Sequence, residues 1–113
     1  MKNLVGIFDI RFSKEAKCHF EQICLYLSFY NQESVIKFRE DFNYSFLMIQ
    51  NYPFMYPRVY SGIFEYRKLV LKRYIILYKV FVDEKCIYIV DILHQKQNHN
   101  LICKEQNNLY MIQ

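Results

Sequence analysis

The chain has 113 residues, a net charge of +4, 53% hydrophobic and 19% aromatic residues, no tryptophan and only two glycines. That length allows one domain around a single core, and that composition excludes a disordered or low-complexity protein. Charge is unevenly placed: residues 1–57 hold six basic and six acidic side chains, whereas residues 58–96 hold eight basic against four acidic and so carry the whole net charge. Such a one-sided basic surface suits an anionic partner, nucleic acid or an acidic protein segment, and equally suits a solvated rim.

Cys18, Cys24, Cys86 and Cys103 form no C-x-x-C pair and have no histidines at ligand spacing, so neither a zinc site nor another cofactor is expected. Cys24 and Cys86 sit in apolar-periodic segments and read as small core residues. The apolar opening Leu4–Phe8 is short and is interrupted by Asp9, and no apolar run reaches the roughly 18–20 residues of a membrane span. The expectation is a soluble, reduced, cytoplasmic protein without a membrane partner.

In chain order, Val5 to Phe12 alternates and is rich in β-branched and aromatic residues, which predicts a strand. Ser13 follows as the N-cap of a helix, with Glu15 in its first turn. Ala16, Phe20, Ile23, Leu27 and Tyr30 recur at helical spacing, so the helix runs to about Tyr30. Asn31-Gln32-Glu33-Ser34 breaks the stripe. A second one follows with Val35, Phe38, Phe42, Phe46 or Leu47, and Ile49, and stops before Pro53. Two helices joined so briefly form an antiparallel hairpin, and their wide apolar stripes require a sheet. Residues 52–57 read as a proline-stiffened loop bearing Tyr52, Phe54, Met55 and Tyr56, which either pack beneath it or form a contact surface.

Ile63–Leu71, Tyr74–Val82 and Ile87–Leu93 read as three strands joined by the tight turns Lys72-Arg73 and Asp83-Glu84-Lys85. In the middle strand Tyr74, Ile76, Tyr78 and Val80 share one face, and Ile75, Leu77, Lys79 and Phe81 the other. The fold class is therefore α+β: an N-terminal strand, an antiparallel helical hairpin, then a three-stranded antiparallel meander. The N-terminal strand joins one sheet edge, and the helices pack on one face of a four-stranded sheet. The domain spans residues 1–97, and residues 98–113 form a tail that includes Leu101, Ile102, Leu109, Tyr110 and Ile112. His19 and His99 read as solvated polar residues.

This order carries particular residues at particular places: Phe12-Ser13 followed by Ala16, Ile23, Phe38, a proline loop at Pro53, Tyr60, Tyr66-Arg67-Lys68-Leu69, Tyr74-Ile75-Ile76-Leu77-Tyr78 and Ile92-Leu93-His94. Together they resemble the RelE/ParE superfamily of toxins from bacterial type II toxin–antitoxin pairs, over about residues 5–97. The resemblance implies a growth-inhibiting protein wrapped by a cognate antitoxin as a hetero-oligomer. It leaves two targets open. RelE-like members cut messenger RNA in the ribosomal A site, while ParE-like members poison DNA gyrase without chemistry of their own.

RNA cleavage by a 2′-hydroxyl needs a base, an acid for the leaving oxygen and a cation for the phosphorane charge. The resemblance places the arginine of RelE-like nucleases at Val70 and that of a second nuclease branch at Ile75. Both guanidinium groups are therefore missing, while His94 matches the second branch's histidine. His94 either titrates as acid or base, or closes the sheet end by hydrogen bonding. Arg67 either pairs with Glu65, Asp91 or a strand-end carbonyl, or binds a phosphate or target carboxylate. The missing arginines favour ParE-like poisoning through a binding surface, with Arg67, Lys72, Arg73, Lys79, Lys96 and residues 52–56 as candidate contacts. A ribosome-dependent nuclease using His94 with Arg67 or Arg73 is the alternative. A small nucleic-acid-binding module stacking bases on Tyr66, Tyr74 and Tyr78 is a further one.

Overall fold

The structure is a computed structural model that describes residues 7–95. Its elements run β1 (Asp9–Phe12), α1 (Lys14–Ser28), α2 (Gln32–Asn51), β2 (Arg58–Ser61), β3 (Phe64–Leu71), β4 (Tyr74–Phe81) and β5 (Cys86–His94). The five strands form one sheet in the order β1-β5-β4-β3-β2, with β1 parallel to β5 and every other pair antiparallel. The α+β architecture, the helical hairpin on one face and the edge position of the N-terminal strand are those expected from the sequence.

The sheet has one strand more than the sequence suggested. Arg58–Ser61 pairs with β3 through a turn at Gly62-Ile63, where Gly62 has φ 64°. The periodicity of Arg58-Val59-Tyr60-Ser61 is too brief to announce a strand, and the backbone bonds offered by the edge of β3 supply what the pattern lacks. The expected strand start at Val5, residue Lys96, His99 and the tail from residue 98 lie outside the described residues.

Local chemistry sets both helix starts. Ser13 accepts from the Ala16 N–H at 2.9 Å, and Asn31 accepts from the Ser34 N–H at 2.7 Å. Each helix has one acid in its first turn, Glu15 or Glu33, where the helix dipole favours it. At the far end of α2, Pro53 follows the C-cap Tyr52, whose N–H still reaches the Met48 carbonyl.

The core lies between the hairpin and the sheet. Ala16, Phe20 and Cys24 of α1 and Phe38, Phe42 and Ile49 of α2 close over Leu69, Ile76, Tyr78, Ile87, Ile89 and Ile92. Phe42 is fully buried, and its ring meets those of Phe20, Phe38, Phe46 and Tyr74 at centroid separations of 4.4–5.9 Å. Ile89 and Ile92 share this face despite their odd and even numbers because β5 bulges. Leu77 pairs with Asp91 but Tyr78 pairs with Ile89, so Val90 is the extra residue. The opposite face is apolar at its centre too, where Tyr66, Ile75, Leu77 and Leu93 are buried.

Truncating the hub tests this packing. Phe42→Ala is expected to cost about 3–5 kcal/mol, enough to unfold a marginal domain or bring it close. Urea unfolding followed by far-UV circular dichroism measures it, and Leu47→Ala on the exposed side of α2 should shift the midpoint little.

Candidate functional site

The residues singled out from the sequence fall into three places. The first is the sheet end where β4 begins and β5 finishes. Tyr74 and His94 are cross-strand partners, and their rings meet edge to face at 5.3 Å. The next pair outward is joined by a bond from the Gln95 N–H to the Arg73 carbonyl. Arg73 is exposed in the two-residue β3–β4 turn, and its charge lowers the Tyr74 phenol pKa, opposing the larger upward push of burial. Lys72 opens that turn at φ 56°, a left-handed value that disfavours a side chain, and its Nζ is 3.0 Å from Asp41 Oδ2 on α2. His94, Arg73, Lys72 and Tyr74 are therefore gathered at one end, beside a cavity of about 190 Å³ between the hairpin and the turn.

Arg67 belongs to a second place. Its partner on β4 is Tyr78, four residues from Tyr74, which puts it about 13 Å along the sheet from His94. Its Nη1 donates to the Phe54 carbonyl at 3.2 Å and to the Tyr56 carbonyl at 2.8 Å. Its guanidinium carbon lies 5.1 Å from the Phe54 ring centroid, and Nη2 is 3.9 Å from Glu65. Only 11% of this side chain is exposed. Next to it the Tyr78 hydroxyl donates to the Pro53 carbonyl at 2.8 Å, and burial pushes that phenol far above its ordinary range. Arg67 and Tyr78 thus hold three carbonyls of the loop 53–56. A guanidinium fork suits this task because it offers several donors in one plane. Loop residues Tyr52, Phe54 and Met55 nevertheless remain more than half exposed.

The third place is the face opposite the helices. Lys79 Nζ lies 5.3–5.6 Å from the ring centroids of Phe64, Tyr66 and Phe81. Val70 and Ile75 are direct cross-strand partners on this face, and Leu93 adjoins Ile75. Val70 and Ile75, where the resemblance places the nucleases' arginines, therefore form a single aliphatic patch, and His94 stands on the other face. Tyr66 and Tyr78 are 4% and 0% exposed. Neither ring can stack on a base, which leaves Tyr74 alone of the three proposed platforms.

One further group has no signature in the sequence. After the β5 bulge, the Asp91 carboxylate sits 2.6 Å from His19 Nδ1 and accepts from the Ile92 N–H at 2.8 Å. Ser13 seals the bulge, donating from its hydroxyl to the Val90 carbonyl at 2.7 Å and from its N–H to the Ile89 carbonyl at 3.0 Å. His19 is thus a tether between α1 and β5 and not merely a solvated polar residue. Burial raises the Asp91 pKa, opposed by His19 and by the Ile92 N–H. Among the described residues no group of three or more His, Cys, Asp or Glu side chains could hold a metal ion. No described helix is long and apolar enough to cross a membrane.

Residues 10–99 match the family described as the ParE toxin of the type II toxin–antitoxin system, parDE. The chain belongs to the ParE toxin family. Among solved structures, a chain of the toxin–antitoxin complex RelBE2 from Mycobacterium tuberculosis is similar, with a TM-score of 0.60 at 12% identity. The match covers 82% of this chain and 97% of that one, and at such identity it speaks for the shared fold. No curated protein matches by sequence. Within this ParE-type chain the match spans β1 to the residues after β5, so the sheet end and the Arg67 staple both lie inside the family's domain.

Two outcomes follow. Tyr78→Phe leaves the Pro53 carbonyl without its partner and should cost about 1–2 kcal/mol, while Arg67→Lys, which gives up the planar guanidinium that lies over Phe54 and reaches Glu65, should raise protease cleavage within residues 52–57. Equilibrium urea unfolding and limited proteolysis check them. For Asp91, the native pKa lies above that of the unfolded chain, so the native state binds the extra proton. The carboxyl's contribution is fully present below the unfolded value and declines as pH rises through the folded one. Asp91→Asn should flatten that part of the stability–pH profile, measured as urea midpoints between pH 4 and pH 7.

Proposed function

We propose that this ParE-type chain is the growth-arresting toxin of a type II toxin–antitoxin pair, and that it acts by binding and poisoning an essential target, DNA gyrase in the ParE-like mode. The observation that carries this reading is the Val70–Ile75–Leu93 patch. At the two positions where the resemblance puts the cation that stabilises a phosphorane in nucleases, Val70 and Ile75 stand instead, with Leu93 beside them. General acid–base catalysis by His94 alone would supply about 10²–10⁴-fold, far short of what phosphodiester cleavage requires.

On this reading the basic residues contribute unequally. Arg67, Lys72 and Lys79 already bind loop carbonyls, Asp41 and an aromatic trio, so their charge supports the surface. Arg73, Lys96 and the exposed rings of Tyr52 and Phe54 are the proposed target contacts. The cognate antitoxin is the proposed partner in a cytoplasmic hetero-oligomer. The family's description and the likeness to a toxin–antitoxin complex support it, as do exposed apolar side chains such as Phe29, at 78%.

One observation favours a second reading, a ribosome-dependent mRNA endonuclease. Arg73 is exposed in the turn beside the Tyr74–His94 pair, where its guanidinium could serve in place of the missing arginines.

Induced expression in a bacterial host separates the readings. Poisoning predicts growth arrest with DNA-damage signalling, unchanged by His94→Ala and relieved by Arg73→Glu. Transcripts cut in the ribosomal A site, and abolished by His94→Ala, would replace poisoning with cleavage. Growth without arrest from an intact, well-expressed chain would remove the toxin reading altogether.

A further inference from the structure

The sheet face opposite the helices carries a row in which cations and rings alternate. Strand alternation puts Arg11 of β1, Tyr88 of β5 and Lys79 of β4 on this face, and the register sets Tyr88 between the other two. Neighbouring strands run about 4.8 Å apart, so the two cations rise from strands about 10 Å apart with a ring between them. Phe81, two residues beyond Lys79 and opposite Cys86, is the diagonal neighbour of Tyr88, about 7–8 Å away. Lys68 stands on the same face of β3, opposite Leu77.

These groups are open to a ligand. Tyr88 and Phe81 are 36% and 40% exposed, and Arg11 is exposed as well. Lys79 rests over Phe64, Tyr66 and Phe81, which holds its ammonium in place without neutralising it. Among the described residues no carboxylate lies within salt-bridge distance of Arg11, Lys68 or Lys79. Asp9 shares the face two residues before Arg11, and the cations outnumber it. An extended acidic peptide would seek an unpaired strand edge, whereas β4 and β5 are interior strands with a neighbour on each side. Cations interleaved with exposed rings suit another ligand, a chain of phosphates alternating with unstacked bases.

We propose that this row binds single-stranded nucleic acid, with bases stacked on Tyr88 and Phe81 and phosphates met by Arg11 and Lys79. Lys68 adds charge along the path. The site lies apart from the sheet end at Arg73 and His94, and it stands whichever target the toxin reading takes. Its contacts go to phosphates and ring faces, which DNA and RNA share, so the two bind alike. A duplex binds less well, because its bases are already stacked on one another.

The test uses the purified full-length chain with fluorescein-labelled oligothymidylate and oligouridylate of about 12 nucleotides, read by fluorescence anisotropy over a range of salt. Both should bind, with affinities within threefold of each other. Two phosphate contacts predict a slope of log K against log salt of about −1.4, and Arg11→Gln should flatten it by about 0.7. Tyr88→Ala should weaken binding at least fivefold and leave the slope unchanged, since a stacked ring carries no charge. Lys37→Gln, on the helical layer, should change affinity less than twofold. Photo-crosslinking of the unaltered chain to a 5-bromouracil oligonucleotide needs no variant, and the label should fall on Phe81 or Tyr88. Absence of binding, crosslinks confined to the helices, or an equal loss with Lys37→Gln would overturn the site. Duplex binding as tight as single-strand binding, or a preference above tenfold for DNA or RNA, would overturn the stacking chemistry. Displacement of the oligonucleotide by polyglutamate of equal charge would overturn it in favour of an acidic protein segment. None of these outcomes touches the toxin reading, which growth arrest decides.

Discussion

Everything else in this molecule depends on how the helical hairpin is fastened to β4. The fastening is aromatic: Phe38 and Phe42 of α2 meet Tyr74 of β4 at 5.1 and 5.9 Å, and Phe20 of α1 meets both phenylalanines. Such aromatic pairs add about 0.5–1.5 kcal/mol each beyond their buried area, and burying a side chain of this size contributes about 1.5–3 kcal/mol. Tyr74 is also the ring against which His94 rests. The packing that makes the fold therefore also fixes the His94 imidazole at the sheet end, and a change in the core is felt at the candidate site.

The polar groups work mostly at the seams. Ser13 joins the start of α1 to the bulge in β5, His19 joins α1 to Asp91, Lys72 joins the β3–β4 turn to α2, and Arg67 with Tyr78 holds the loop ahead of β2. The two exposed ion pairs of Lys72 and Lys37 with Asp41 contribute little, about 0.2–1 kcal/mol each. The sheltered bonds matter more, because removing one partner leaves a desolvated group unpaired at about 1–3 kcal/mol. This division explains why a basic block of sequence yields less free positive surface than its charge count suggests.

Much of this was legible in the sequence. The N-cap Ser13, the helix stripes and the alternation of β4 follow from short-range rules, since spacing alone decides which side chains share a face. The resemblance carried by Tyr66-Arg67-Lys68-Leu69 and Ile92-Leu93-His94 led to the right family. Four features were not legible because each depends on a partner outside its own segment. β2 exists only because β3 offers it an edge. The Val90 bulge, which puts Ile89 and Ile92 on one face, has no signature in Ile87–His94. His19 gains its role from a residue 72 positions away. Arg67 was recognised as divided between structure and contact, but the carbonyls of Phe54 and Tyr56 could not be assigned to it from sequence.

The disposition of charge also bears on the proposed function. A ribonuclease must concentrate positive charge where the phosphorane forms, in a geometry set before the substrate arrives. Here the cations are dispersed: Arg67 faces a loop, Lys79 faces three rings, Lys72 faces Asp41, and Lys17 and Arg39 line a cavity between β1 and the helices. Dispersed charge is poorly suited to a transition state a few ångströms across, yet well suited to large partners met over a broad surface, where steering and register matter more than local field. Phe29 and Tyr30 at the hairpin tip and Phe54 and Met55 in the loop at Pro53 are exposed as well, as apolar side chains that a partner would cover. On the proposed reading the protein acts through what it holds, and its specificity lies in which partners fit that dispersed charge and exposed apolar surface.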